Sequence, residues 1–174
     1  MNSSTSTVKD LIIPLSSYPC AGSEDAVHSA VATLLGFTAA GSNRLRYSEL
    51  LVIDAKNQYT GRLTIKNILS CYFPALFTAD GKSLFAGKKE QFSDLAILLE
   101  DSFQSRCRTQ GALPVSGFMT PPLKPVGAGV HCLHAAEIML ACNETCMPVT
   151  ENGALIGVVL LNDIFQVLSG LCAL

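Results

Sequence analysis

Two stretches of this chain read alike. Glu49-Leu-Leu-Val-Ile-Asp54 runs into a turn at Ala55-Lys-Asn57 and then into Tyr59-Thr-Gly-Arg-Leu-Thr-Ile-Lys-Asn-Ile-Leu69. Cys146-Met-Pro-Val-Thr-Glu151 runs into Asn152-Gly153 and then into Leu155-Ile-Gly-Val-Val-Leu-Leu-Asn-Asp-Ile-Phe165. Gly61 matches Gly157, Asn67 matches Asp163 and Ile68 matches Ile164, all at one offset of 96 residues. Internal repetition limits a fold more than any local propensity, because one supersecondary unit must then be built twice. Each copy reads as an apolar strand, a tight turn, a second strand and a short helix. Asn152-Gly153 is a strong hairpin signal, since both residue types accept positive φ.

The same order holds upstream of each copy. Ser23 to Leu35 has a serine placed to cap a helix, acids at Glu24 and Asp25, and apolar Val27, Ala30, Val31, Leu34 and Leu35 on one face. Its counterpart, His131 to Cys142, puts Leu133, Ala136, Ile138, Met139 and Leu140 on a broad apolar face. A short extended piece containing Pro14 or Pro121 precedes each helix. The copies span residues 8–70 and 115–174, after a Ser/Thr-rich tail at 1–7. The connector, 71–114, has helical periodicity from Gln91 to Phe103 through Phe92, Leu95, Leu98 and Leu99, and flexible flanks are expected at Thr78–Lys89 and Arg106–Pro114. Thr38 to Tyr47 is a polar insertion in the first copy only. Units of some 60 residues bury too little surface to stand alone, so the two copies are expected to pack face to face about a pseudo-twofold axis, in an α/β (α+β) fold of tandem βαββα repeats.

Composition narrows the function. Hydrophobic residues at 49% against charged residues at 15% argue for a large buried fraction. The formal net charge of -2 supplies no basic field for nucleic acid. No run approaches the roughly 18 apolar residues of a membrane span. Seven cysteines, odd in number and without a Cys-x-x-Cys pair, read as reduced and mostly buried, which favours the cytoplasm.

Val115-Ser-Gly-Phe-Met-Thr120, Met147-Pro-Val-Thr-Glu-Asn-Gly-Ala-Leu-Ile-Gly-Val-Val159 and Asn162-Asp-Ile164 resemble the opening and the ending of the CBS-domain family, named after cystathionine β-synthase, whose members occur as tandem pairs called Bateman modules. The resemblance covers about residues 8–70 and 115–172. It implies one disc per pair of repeats, homodimerisation of discs, and a cleft between repeats that binds an adenosine-containing ligand: AMP, ADP, ATP or S-adenosylmethionine.

The family's ligand motif is Gly, two apolar residues, Ser or Thr, two variable residues, then Asp. A hydroxyl at a helix start lies beside free backbone N–H groups, where phosphate is favoured. A carboxylate one turn later accepts hydrogen bonds from both ribose hydroxyls. The first copy reads Gly61-Arg-Leu-Thr64-Ile-Lys-Asn67, keeping the hydroxyl and losing the carboxylate; the second reads Gly157-Val-Val-Leu160-Leu-Asn-Asp163, keeping the carboxylate and losing the hydroxyl. By resemblance, the Asp163 cleft is walled by Pro14 and Tyr18 to Cys20 with Tyr47 and Ser48, and the Asn67 cleft by Pro121 to Val126 and Thr145. Arg62 and Lys66 flank the first motif and are placed to meet a phosphate.

Each residue also has a plain explanation. Thr64-x-x-Asn67 resembles a helix cap, and Asp163 a first-turn acid, with Asn162 able to cap in place of Leu160. His131, Cys132, His134, Cys142 and Cys146 fit no common zinc spacing, and no metal is expected. His28, His131 and His134 lie on exterior helices, away from any nucleophile or paired carboxylate, so no enzyme is expected and no cofactor is required. The expected function is a cytoplasmic regulatory module for an adenosine-type ligand that passes its state to an effector protein. The alternative is a ligand-free interaction or dimerisation protein that keeps the fold. A thiol or zinc sensor built on Cys142 and Cys146 is the third reading.

Overall fold

The computed structural model of the chain describes residues 6–56, 58–74 and 93–172. It divides into two compact units, one made of 1–18 with 122–174 and the other of 19–121. The opening segment of each sequence repeat thus packs in the unit that holds the body of the other repeat.

The 19–121 unit carries the strands β2 (Cys20–Gly22), β3 (Glu49–Ile53) and β4 (Tyr59–Thr64) in the order β2-β3-β4. β3 and β4 form the expected antiparallel pair, and β2 joins β3 in parallel. Leu50, Leu51, Val52 and Leu63 are buried, and the helix α1 (Val27–Leu35) adds buried Val27, Ala30 and Leu34. The expected serine cap is corrected here. α1 begins at Val27 with Ala26 in the N-cap position and no side-chain cap. Asp25 instead accepts a bond from Gly22 N in the preceding turn (2.7 Å). The first free N–H groups of α1, at Val27 and His28, donate to Leu113 O and Gly111 O, both at 2.9 Å. A neighbouring stretch of backbone therefore does the work of a capping side chain.

After β4 come α2 (Ile65–Tyr72) and then α3 (Ser93–Gln110). α3 outruns the expected helix, which stopped at Phe103, and takes in Arg106 to Gln110 of the flank expected at Arg106–Pro114. Phe103, Cys107 and Gln110 recur at helical spacing as its half-buried positions. Phe103 stands edge-on to Tyr72 (6.0 Å) and Phe73 (6.4 Å) of the α2 end. One packed face is enough to extend a helix through a polar run. The flank expected at Thr78–Lys89, with Phe77, Phe85, Phe92 and the turn residue Asn57, lies outside the described residues.

The second unit has β1 (Ile13–Pro14), β5 (Val126–Gly127), β6 (Cys146–Glu151) and β7 (Ala154–Leu160) in the order β1-β7-β6-β5. Asn152 (φ 52°) and Gly153 (φ 81°) turn the β6–β7 hairpin with the positive angles that their sequence announces. α4 (Cys132–Cys142) and α5 (Leu161–Leu171) cover one side of the sheet, around a core that includes Val8, Cys132, Ala135, Met139, Met147, Val149, Val159 and Ile164.

The two units repeat one bonding pattern. Val115 N donates to Asp25 O and Val27 N to Leu113 O in one; Val8 N donates to Val130 O and Cys132 N to Ser6 O in the other. The bridges Ala26 with Pro114 and Thr7 with His131 correspond in the same way.

Candidate functional site

Both motifs sit where a strand hands over to a helix. In the 19–121 unit, Thr64 ends β4 and caps α2. Its hydroxyl accepts from Asn67 N (3.2 Å) and donates to Asn67 Oδ1 (2.6 Å), while Thr64 N donates to the same oxygen (2.9 Å). A third donor, Thr120 Oγ1, reaches that oxygen at 3.0 Å. Thr120 is brought there by its bridge to Arg62, with N···O distances of 3.1 and 2.8 Å. The sequence reading missed Thr120 as a site residue, although it closes the Val115–Thr120 segment and carries a hydroxyl. Gly61 is required by the same approach, because a Cβ there would overlap Thr120 O. Arg62 pairs with Glu49 (Nη1 to Oε2, 3.3 Å), both side chains being nearly buried. Its guanidinium is thus tied into the unit, while Lys66 stands exposed on the first turn of α2.

The equivalent place in the other unit is built on the same backbone with different side chains. Leu161 N donates to Thr145 O (2.9 Å), as Ile65 N does to Ser48 O (3.1 Å). β1 lies against β7 with Ile13 opposite Val158 and Pro14 opposite Gly157, and a Cβ on Gly157 would overlap Ile13 O. Ile13 therefore stands where Thr120 stands in the other unit, and Leu160 where Thr64 does. Both hydroxyls that engage Asn67 are missing around Asp163. α5 has Leu160 in the N-cap position and no side-chain cap, so Asn162, in the second helical position, does not cap in its place. Asp163 is half-buried in the first turn, and among the described residues no hydrogen-bond or ion-pair partner is seen for its carboxylate. A carboxylate held at a helix N-terminus without a capping hydroxyl keeps its acceptor capacity for an outside donor.

Pro14 and Thr145 are exposed and Val126 is buried, all in the unit that carries Asp163. Tyr18, in the same unit, is buried with its hydroxyl 3.3 Å from Cys146 Sγ. Tyr47 and Ser48 belong to the other unit, with Arg62, Thr64, Lys66 and Asn67. Tyr47 is buried with its ring 5.9 Å from Phe37 and the Arg46 guanidinium 5.2 Å above it, and Ser48 is exposed.

Residues 115–170 match the family model of the CBS domain. The fold of the chain is that of CBS-domain pairs. CBSX2 from Arabidopsis thaliana, a CBS-pair protein, superposes with a TM-score of 0.65 at 18% identity, covering 97% of both chains. CBSX2 in complex with AMP gives 0.62 at 18% identity, over 95% of this chain and 98% of that one. The cytosolic domain of the Mg2+ channel MgtE in complex with ATP gives 0.55 at 17% identity, over 90% of this chain and 46% of that one. No curated protein matches the chain.

Within residues 115–170 the histidines and cysteines are dispersed. His131 Nδ1 accepts from Leu133 N (3.1 Å) and so caps α4, while His134 faces Glu137 at 3.9 Å. Cys132 and Cys146 are buried and Cys142 is exposed. Burial pushes the Cys132 thiol above its ordinary pKa, as it does Cys20 and Cys71 in the other unit, which lowers the thiolate fraction. Among the described residues no group of three or more His, Cys, Asp or Glu is placed to hold a metal ion. No described helix is long and apolar enough to cross a membrane.

Proposed function

We propose that the chain is a non-catalytic, cytoplasmic regulatory module that binds an adenosine-containing ligand at Asp163 and works as a homodimer on an effector protein. The observation that carries this reading is the contrast between Asn67, whose side-chain oxygen takes three hydrogen bonds from its own unit, and Asp163, where both hydroxyls are replaced by Leu160 and Ile13. An ionised carboxylate beside free helix N–H groups suits the paired hydroxyls of a ribose. Leu160 offers no hydroxyl to a phosphate, so the reading favours ligands held through the ribose and base, adenosine or S-adenosylmethionine ahead of ATP. AMP and ATP in the similar CBS structures support the ligand class.

The test is a thermal-shift and calorimetric series with adenosine, AMP, ADP, ATP and S-adenosylmethionine. A ligand at about one hundred times its dissociation constant adds roughly 2.7 kcal/mol, which raises the melting temperature of a chain this size by about 5–10 °C. Asp163→Ala removes charge-assisted hydrogen bonds worth roughly 1.5–3 kcal/mol each, so affinity drops by at least about tenfold. Thr64→Val leaves adenosine binding at Asp163 unchanged. Equal binding by wild type and Asp163→Ala would reduce Asp163 to a helix-start charge.

The closed arrangement at Asn67 favours a second reading for the 19–121 unit, in which its motif is a structural cap and takes no ligand. Two equivalents of nucleotide bound per chain, with one lost in Thr64→Val, would rule that out.

A further inference from the structure

The end of α3 rests on the end of α2 through thiols as well as rings. Phe103 stands edge-on to Tyr72 and Phe73. Two turns further along, Gly111 lies so close that a Cβ there would be 3.5 Å from Tyr72 Cε1 and 3.3 Å from His28 Cβ, and Gly111 N closes the helix on Cys107 O (3.1 Å). Cys71 Sγ donates to Gln110 O at 3.8 Å. Residues 71–73 are thus held along one stripe of α3 from Phe103 to Gly111, and Cys107 is midway along that stripe, one turn from Phe103 and one from Gly111. The sulfurs act on one another. Burial first, and then the neighbouring Cys107, pushes the Cys71 thiol above its ordinary pKa; burial, Cys107 and Cys71 in that order do the same to the Tyr72 hydroxyl between them. The two thiols differ in access, since Cys71 is 2% exposed and Cys107 is half-buried.

We propose that Cys71 and Cys107 form a reversible thiol–disulfide pair that staples α3 to α2 when a small-molecule disulfide is in excess. Cys107, the sulfur within reach, loses its proton and attacks one sulfur of the small disulfide, whose S–S bond breaks; the sulfur that leaves takes up a proton as a free thiol. Cys71 then loses its proton and attacks Cys107 Sγ, and the second small thiol leaves in the same way. Two protein thiols are oxidised by two electrons and one small disulfide is reduced to two thiols, so no other oxidant is needed. Burial keeps both side chains protonated near neutral pH, which slows the first exchange. The second exchange is favoured by position, because the packing of α3 on α2 already holds Cys71 beside the sulfur it attacks. In a reducing compartment such a bond forms transiently, as a response to oxidation. Neither thiol belongs to the Asn67 motif or to the unit that carries Asp163, so the pair acts on the connector helix.

The test equilibrates the folded full chain with oxidised and reduced glutathione, quenches with acid, alkylates the remaining thiols and maps the peptides by mass spectrometry. The wild type is expected to yield a peptide pair joined through Cys71 and Cys107, reversed by excess reduced glutathione, while exposed Cys142 and Cys172 carry glutathione adducts. Cys71→Ser traps a glutathione adduct on Cys107, and Cys107→Ser leaves Cys71 a thiol. The linking rate rises about tenfold per pH unit near neutrality, as attack by a scarce thiolate requires. In the linked form, hydrogen exchange at residues 104–110 slows by at least about tenfold relative to the reduced chain. Cys71 and Cys107 that stay unlinked in oxidised glutathione, or that link only in urea, overturn the pairing. Adducts formed as readily on Cys71 in Cys107→Ser as on Cys107 in Cys71→Ser overturn the order of attack, and linked protein with unchanged exchange at residues 104–110 overturns the staple.

Discussion

Asn67 and Asp163 occupy the third position of equivalent helices, and one heavy atom separates their chemistry. Their surroundings separate their roles. Asn67 Oδ1 accepts from Thr64 N, Thr64 Oγ1 and Thr120 Oγ1, so it holds the end of β4, the start of α2 and the Thr120 segment at one point. Asn67→Ala leaves those donors unpaired in a half-buried place and is expected to cost about 1–3 kcal/mol. Asp163→Ala gives up only a favourable charge at a helix N-terminus, about 0.3–1 kcal/mol. Urea unfolding of the two variants measures the difference; an Asp163→Ala loss as large as that of Asn67→Ala would mean that Asp163 is also a structural tie. The Thr64–Asn67 cap and the two glycines were legible in the sequence. The third donor was not, because Thr120 is 53 residues from Asn67 and only the packing of the chain brings it there.

At the scale of elements, periodicity located most helices and strands and misjudged the two places where backbone or packing replaces a side-chain signal. α1 starts three residues late for a serine cap because Leu113 O and Gly111 O satisfy its first N–H groups, a contact with no local sequence mark. α3 continues through Gln104–Gln110, a stretch whose apolar content has run out, because Phe103 and Cys107 still face α2 and Gly111 permits the close end against His28 and Tyr72. Phe103 is thus the anchor of the connector. Its two edge-to-face contacts, at about 0.5–1.5 kcal/mol each, put the cost of Phe103→Ala at about 1–3 kcal/mol. The loss is expected to be local. Hydrogen exchange should accelerate at the amides of residues 104–110 and leave the β6–β7 hairpin protected. Unchanged protection in α3 would show that other contacts hold it.

For the whole molecule, self-similarity revealed that one unit is built twice, but not that the opening segments are exchanged between the compact units, since an offset of matching residues carries no information about which body a segment packs in. The repeats diverged in complementary ways. One unit ties its motif with hydroxyls and covers its helices with α3; the other leaves both its carboxylate and its outer helix face open, and both features lie on α5. Asp163 sits in the first turn of the helix whose next turns present Phe165 and Leu168. A ligand that satisfies Asp163 is expected to order that first turn, which otherwise lacks a side-chain cap. Hydrogen exchange of the wild type with and without saturating adenosine measures the gain: the amides of residues 161–165 should slow, while those of residues 65–69, whose first turn Thr64 already caps, should not change. Equal exchange in α5 with and without ligand would show that binding at Asp163 leaves the helix start as it was.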